Sequence, residues 1–149
     1  MSIGEICNRE VVVVQPEDTV LQAAKLMRQH HVGSVLVVDQ HNGKPVPVGI
    51  VTDRDLVVEV MATELDPDTI TVSDIMVPDF AIVKEETGVF ETIQYMRNKS
   101  VRRLPVVDKE GRLIGIIALD DLLTLLSEEL DALAKLVARE QKKETNTRR

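Results

Sequence analysis

Residues 6–39 lie over residues 75–108 at a constant offset of 69, pairing Ile6 with Ile75, Val14 with Val83, Glu17 with Glu86, Val20 with Val89, Met27 with Met96, Arg28 with Arg97, Val32 with Val101 and Val37-Val38-Asp39 with Val106-Val107-Asp108. After Asp39 the offset falls to 66, and the matches resume at Gly49-Ile50 with Gly115-Ile116 and Asp55-Leu56 with Asp121-Leu122. The change of three, 69 − 66, coincides with the longer turn from Gln40 to Pro45 in the first copy. Loops absorb length changes without disturbing packing, so an insertion confined to a turn is what two copies of one folded unit produce. In a chain of 149 residues each half has about 60, which is marginal on its own. The two halves are therefore expected to share a core, and function is expected between or across them.

Composition narrows the field. With 44% hydrophobic and 29% charged residues the chain has enough apolar material for a core, and disorder is expected only at the ends. No apolar run approaches the ~20 residues that span a bilayer, and the first twenty residues carry acids rather than a basic-then-apolar signal pattern. A cytoplasmic location without membrane contact is the expectation. The single cysteine, Cys7, forms no internal disulfide, in keeping with a reducing compartment, and is expected to be buried or semi-buried. A net charge of −7 opposes non-specific nucleic-acid binding, which needs a basic surface. The exception is the stretch from Arg139 to Arg149, with five bases and two acids, for which a polar, frayed helix end is the plain reading. Phe80, Phe90 and Tyr95 are the only aromatics, so base stacking is poorly supplied and nucleic acid is not an expected partner.

Each copy reads as strand, helix, strand, turn, strand, helix. In copy one these are Val11 to Val14, a helix capped by Thr19 with Val20, Ala23, Ala24 and Met27 at helical spacing, Ser34 to Asp39, the turn His41-Asn42-Gly43, Val46 to Val51, and a helix from Asp53 to Met61. The acidic, proline-interrupted stretch Ala62 to Val72 reads as a connector. Copy two repeats the order with Phe80 to Val83, a helix from Thr87 to Asn98, Arg103 to Asp108, the turn Lys109-Glu110-Gly111, Arg112 to Ile117 and a helix from Leu119 onward. That last helix outruns its counterpart, and Leu122, Leu126, Leu130, Leu133 and Val137 fall on one stripe. Such a stripe serves either a partner or the chain itself, and a homodimer seam is the reading taken here.

No catalytic constellation is present. The only Gly-Lys pair, Gly43-Lys44, sits in a turn, and neither G-x-G-x-x-G nor G-x-S-x-G occurs. His30 and His31 are adjacent on a predicted helix, about 100° apart, and do not grip one metal together, while His41 lies in a turn. The informative segment is Gly49-Ile50-Val51-Thr52-Asp53-Arg54-Asp55, where a strand gives way to a helix. Thr52 and Asp55 are three apart, so their oxygens share one side, and a carboxylate suits the adjacent hydroxyls of a ribose. The same spacing also makes a capping box for the helix's own amides, and spacing alone leaves both readings open. Copy two keeps Asp121 but replaces the hydroxyl by Ala118. It has instead Val101-Arg102-Arg103 entering its strand, where copy one has Val32-Gly33-Ser34; two arginines there bind phosphate or make surface ion pairs.

Two copies of this element order, a Leu104-Pro105-Val106-Val107-Asp108 strand and the Gly49 to Asp55 segment together resemble a tandem CBS (cystathionine β-synthase) domain pair, or Bateman module, over residues 4–126. The whole chain is similar to small stand-alone bacterial CBS proteins. The resemblance implies an α/β (α+β) fold of two β-α-β-β-α repeats packed about a pseudo-twofold axis, with repeat one at 4–62, a connector at 63–73, repeat two at 74–127 and a helical extension with basic tail at 128–149. It implies no enzyme and no required cofactor. The expected role is a regulatory or sensor module that binds adenosine-containing ligands (AMP, ADP, ATP or S-adenosylmethionine) in clefts between the repeats and signals to an unidentified protein partner. The alternative is a structural interaction module with vestigial clefts. Carried over residue by residue, site one joins Thr52 and Asp55 to Ala81, Val101, Arg102 and Arg103. Site two joins Asp121 to Val12, Val32, Gly33 and Ser34, and departs from the pattern at Ala118. Site one, with the arginines, is expected to hold a phosphorylated adenosine more tightly, and Ile50, Val101 and Ile116 to wall the adenine in an apolar pocket.

Overall fold

Copy one begins with a helical turn that the sequence pattern does not reveal. A computed structural model describes residues 1–77 and 80–147 of the chain, and in it α1 spans Ile3–Ile6. It is followed by β1 (Val13–Val14), α2 (Val20–His30), β2 (Ser34–His41), β3 (Lys44–Thr52) and α3, which is α-helical over Asp53–Asp55 and π-helical over Leu56–Met61. Copy two has α4 (Val72–Ile75), β4 (Val83–Lys84), α5 (Val89–Lys99), β5 (Arg103–Val107), β6 (Leu113–Ala118) and α6 (Leu119–Thr147). Each copy makes one three-stranded sheet, ordered β1-β2-β3 and β4-β5-β6, so the fold is mixed α/β as expected. The first strand pairs parallel with the second in both sheets, and β2 pairs antiparallel with β3. The chain forms two compact units, residues 1–117 and 118–149.

Local chemistry explains the boundaries. Asn42 (φ 54°) and Gly43 (φ 77°) close the β2–β3 hairpin with two left-handed residues, the geometry that matches strand twist. Pro47 has no N–H to donate, and the register shifts beside it, leaving Val48 as a bulge between the Val37–Gly49 and Val38–Pro47 pairs. In α2, Thr19 Oγ1 accepts from the Gln22 amide at 3.2 Å, and the Thr19 amide donates back to Gln22 Oε1 at 2.8 Å. The helix ends at His30; His31 is left-handed (φ 56°) and terminates it, so the two histidines do not share a helix face. The predicted first strands are shorter than their apolar runs, although the Leu36 amide still reaches Val12 O at 3.0 Å. Asp108 holds the turn of copy two, its carboxylate accepting from the amides of Glu110 and Arg112 at 2.9 Å and from Arg112 Nε at 3.0 Å. Partial burial opposes its ionisation, but these donors and the Arg112 charge outweigh it and hold the carboxyl below its usual range.

The two leaders are exchanged. The amides of Ile3 and Gly4 in copy one donate to Thr87 O and Glu85 O of copy two at 2.7 and 2.9 Å. At the same offset of 69, the amides of Val72 and Ser73 donate to Asp18 O and Pro16 O of copy one at 2.8 and 3.1 Å. The backbone bridges Ser2–Gly88 and Thr19–Thr71 obey the same relation. Side chains follow: Val72 is fully buried in the core of copy one, with Val14, Ala23, Met27, Val35, Val37 and Val51 around it and Ile75 and Met76 against its edge. The third strand of each copy therefore carries a glycine facing the other copy's leader. A Cβ on Gly49 would stand 2.8 Å from Met76 Sδ, and one on Gly115 would stand 2.7 Å from Cys7 Sγ and 2.8 Å from the Asn8 carbonyl. Residues 67–70 of the predicted connector are likewise tied down, since the amides of Val20 and Leu21 donate to Ile70 O and Pro67 O at 2.9 and 3.0 Å.

Candidate ligand cleft

Thr52 ends β3 in an extended conformation and caps the helix that follows. Its hydroxyl accepts from the Asp55 amide at 3.2 Å, while its own amide donates to Asp55 Oδ2 at 2.9 Å. The capping box is thus formed, and it engages one carboxylate oxygen of Asp55. In copy two half of it survives: the Ala118 amide donates to Asp121 Oδ2 at 3.0 Å, with no hydroxyl to answer. Among the described residues, neither carboxylate has a protein partner on Oδ1. Each keeps an acceptor for a second group.

Side chains two apart on a strand share a face, so Ile50 and Thr52 project from the same side of β3. On that side lies a cavity of about 370 Å³ lined by Ile50 from copy one and by Val77, Phe80, Ala81, Tyr95, Lys99, Val101, Arg103 and Pro105 from copy two. Of the residues assigned to site one, Ala81, Val101 and Arg103 line this cavity, and Thr52 and Asp55 lie just beyond Ile50 on the same segment. Arg103 opens β5 and is half-buried in the lining, whereas Arg102, in the bend before it, is exposed. Among the described residues Arg103 makes no ion pair. A second cation lines the same cavity: Lys99, whose Nζ sits 5.9 Å from the centre of the Tyr95 ring.

Lys99 and Tyr95 escaped the sequence reading. They occupy the last turn of α5, four residues apart, and at the offset of 69 they replace His30 and Leu26, so the repeat comparison hides them. The available signal was their helical spacing next to Val101. The leaders also treat the two sides differently. Asn8 and Ile116 exchange two backbone hydrogen bonds, both 2.9 Å, whereas their equivalents Val77 and Ile50 both line the cavity.

The residues assigned to site two are divided between the compact units, with Val12, Val32, Gly33 and Ser34 in the first and Asp121 in the second. Gly33 lies against the carboxylate of Asp53, whose amide donates to Gly33 O at 2.9 Å. A larger groove of about 580 Å³ touches Arg9, Gln15, Asp18 and Gln40. Its charges are locally engaged, Arg9 on Gly4 O at 2.9 Å and Asp18 on the Gln15 amide at 2.8 Å. Among the described residues no group of three or more His, Cys, Asp or Glu is placed to hold a metal. None of their helices is long and apolar enough to cross a membrane. Arg148 and Arg149 of the basic tail, with Pro78 and Asp79, lie outside the described residues.

The family described as CBS domain matches residues 3–62 and 72–128. An uncharacterized protein of Methanopyrus kandleri is 41% identical over 123 residues, covering 83% of this chain, and the chain spans only 61% of that relative. A putative signal-transduction protein with CBS domains from Burkholderia ambifaria has a solved structure that superposes with a TM-score of 0.74 at 30% identity, covering 85% of this chain and 93% of that one. The CBS domain pair of protein MJ0100, solved in complex with 5′-methylthioadenosine and S-adenosyl-L-methionine, shares the fold at a TM-score of 0.74 and 22% identity, covering 87% of this chain and 98% of that one.

Proposed function

The chain belongs to the CBS domain family, and on that premise we propose that it is a non-enzymatic regulatory module of the cytoplasm, self-associating, that binds an adenosine-containing nucleotide between its repeats and passes its occupancy to a partner protein. The cavity carries this reading: apolar walls from Ile50, Ala81 and Val101, two cations at Lys99 and Arg103, and the unengaged Oδ1 of Asp55 beyond Ile50. The carboxylate would take the ribose hydroxyls, the aliphatic walls the adenine, and the cations a phosphate. A phosphorylated adenosine (AMP, ADP or ATP) fits the cations better than S-adenosylmethionine, whose sulfonium and amine are positive. Binding alters a partner's contacts only if the ligand prefers one of two arrangements of the protein.

The test is a thermal and calorimetric titration of the whole chain with AMP, ADP, ATP, S-adenosylmethionine and adenosine. A ligand at 100 times its Kd adds about 2.7 kcal/mol to stability. Asp55→Asn, which keeps an acceptor for the Thr52 amide, should weaken every adenosyl ligand about tenfold, a loss of ~1.4 kcal/mol. Arg103→Ala should weaken AMP and leave adenosine nearly unchanged. If no adenosyl compound binds, the nucleotide reading falls. The second reading, a structural interaction module, then stands on the capping box, which accounts for Thr52 and Asp55 without any ligand.

A further inference from the structure

The cavity beside Ile50 is electropositive. The described residues that line it include Arg103 and Lys99 and no carboxylate, in a chain that carries 25 acids against 18 lysines and arginines. Neither cation has an ion-pair partner among the described residues. The two differ in depth and in chemistry. Arg103 opens β5 and is half-buried, and its guanidinium is a planar fork suited to two oxygens of one phosphate. Lys99 stands in the last turn of α5, is exposed, and ends in a compact ammonium on a flexible stem.

That ammonium rests on an aromatic ring. Lys99 Nζ is 5.9 Å from the centre of Tyr95, at the outer edge of the range of about 6 Å over which a ring face attracts a cation. Such a hold keeps the charge at the cavity and yields easily to an anion. Copy one has no such pair, since Leu26 and His30 occupy the equivalent positions, so building the repeat does not require it.

We propose that Lys99, resting on Tyr95, is a specificity-determining residue by which this cavity prefers ligands with two or three linked phosphates, such as ADP and ATP, to a monophosphate. The first phosphate takes the half-buried fork of Arg103 and leaves the ammonium on its ring. A second phosphate extends toward the exposed rim, where Lys99 leaves Tyr95 to meet it. Each added phosphate brings further negative charge to a cavity whose cations lack partners. The inference rests on the nucleotide reading above and deepens it by naming the phosphate number.

Tyr95 is the only tyrosine and the chain has no tryptophan, so its ultraviolet emission reports from this cavity alone. The full chain is titrated with adenosine, AMP, ADP, ATP and inorganic tripolyphosphate, without divalent cations, by emission and by calorimetry. ADP and ATP should bind about tenfold tighter than AMP, a difference of ~1.4 kcal/mol. Lys99→Met, which keeps an unbranched stem, should bring ADP and ATP down to the affinity of AMP while AMP and adenosine stay nearly unchanged. Lys99→Arg should keep the preference. The side chain is exposed, so both variants should melt as the unsubstituted chain does. Equal affinity for AMP and ATP in the unsubstituted chain overturns the proposal, as does a preference that survives Lys99→Met. Tripolyphosphate separates this proposal from the one it rests on. If no adenosyl compound binds, but tripolyphosphate binds and Lys99→Met weakens it, the nucleotide reading falls and the role of Lys99 stands; if neither binds, both fall.

Discussion

The two copies agree where they fold and differ in the side chains they bring to the cavity between Ile50 and copy two. Both keep the strand order, the exchanged leader and a carboxylate at the start of the last helix. Copy one has the hydroxyl beside that carboxylate, and copy two has Tyr95, Lys99 and Arg103 at its strand entrance. The cavity sets Tyr95, Lys99 and Arg103 of copy two against Ile50, two residues before Thr52 on the same strand. Divergence between repeats need not make one copy functional and the other decorative; it concentrates unlike groups in one cleft.

The largest effects should come from the shared part of the comparison. Ile3→Ala and Val72→Ala, equivalent positions that are both fully buried, should cost ~2–5 and ~2 kcal/mol. Because Val72 sits in the core of copy one and the Ile3 amide is bonded to copy two, urea melts of both variants should stay single transitions with a lowered midpoint. Two separate transitions would mean that the copies fold independently.

The paired glycines come next. An added methyl at Gly115 meets the fixed carbonyl of Asn8, whereas at Gly49 it meets the movable end of Met76. Gly115→Ala should cost ~1–3 kcal/mol and Gly49→Ala under ~1 kcal/mol in chemical denaturation. Equal losses would show that the two leaders pack alike. Exchanging the caps gives a smaller effect of opposite sign on the two sides: Thr52→Ala should lose ~0.5–2 kcal/mol, and Ala118→Thr should gain ~0.5–1 kcal/mol by completing the capping box with Asp121.

The smallest expected effect is a pH dependence at the turn of copy two. The native pKa of Asp108 lies below its unfolded value, so its contribution to stability is complete above the ordinary carboxylate pKa of about 4 and is lost as pH falls through the lowered native value. Asp108→Asn should flatten that acid limb of the stability curve slightly. An unchanged limb would place the acid sensitivity elsewhere.

The repeat, the hairpins and the long helices were legible because they depend on local periodicity and turn residues. The sequence misses α1 and α4 because four residues carry no periodicity, and it misses the leader exchange because only contacts between distant residues define it. The π-helical end of α3 falls on the run Leu56-Val57-Val58-Glu59-Val60-Met61, whose β-branched residues weaken regular α-helix without announcing what replaces it. At the cleft, Ile50, Ala81, Val101 and Arg103 line one cavity, whereas Thr52, Asp55, Arg102 and the expected wall residue Ile116 are not among its lining. The choice between ribose acceptor and helix cap was posed as an alternative, but a carboxylate has two oxygens and the cap occupies one.

The exchanged leaders carry an implication for ancestry. The backbone hydrogen bonds that Ile3 and Gly4 make to copy two are the ones that Val72 and Ser73 make to copy one, at an offset of 69. A half-length protein made of one such unit holds both the leader and the socket for it, so two molecules of that protein can close each other's cores. Joining them end to end then adds a tether rather than a new interface, and frees each half to drift in sequence without losing its mate.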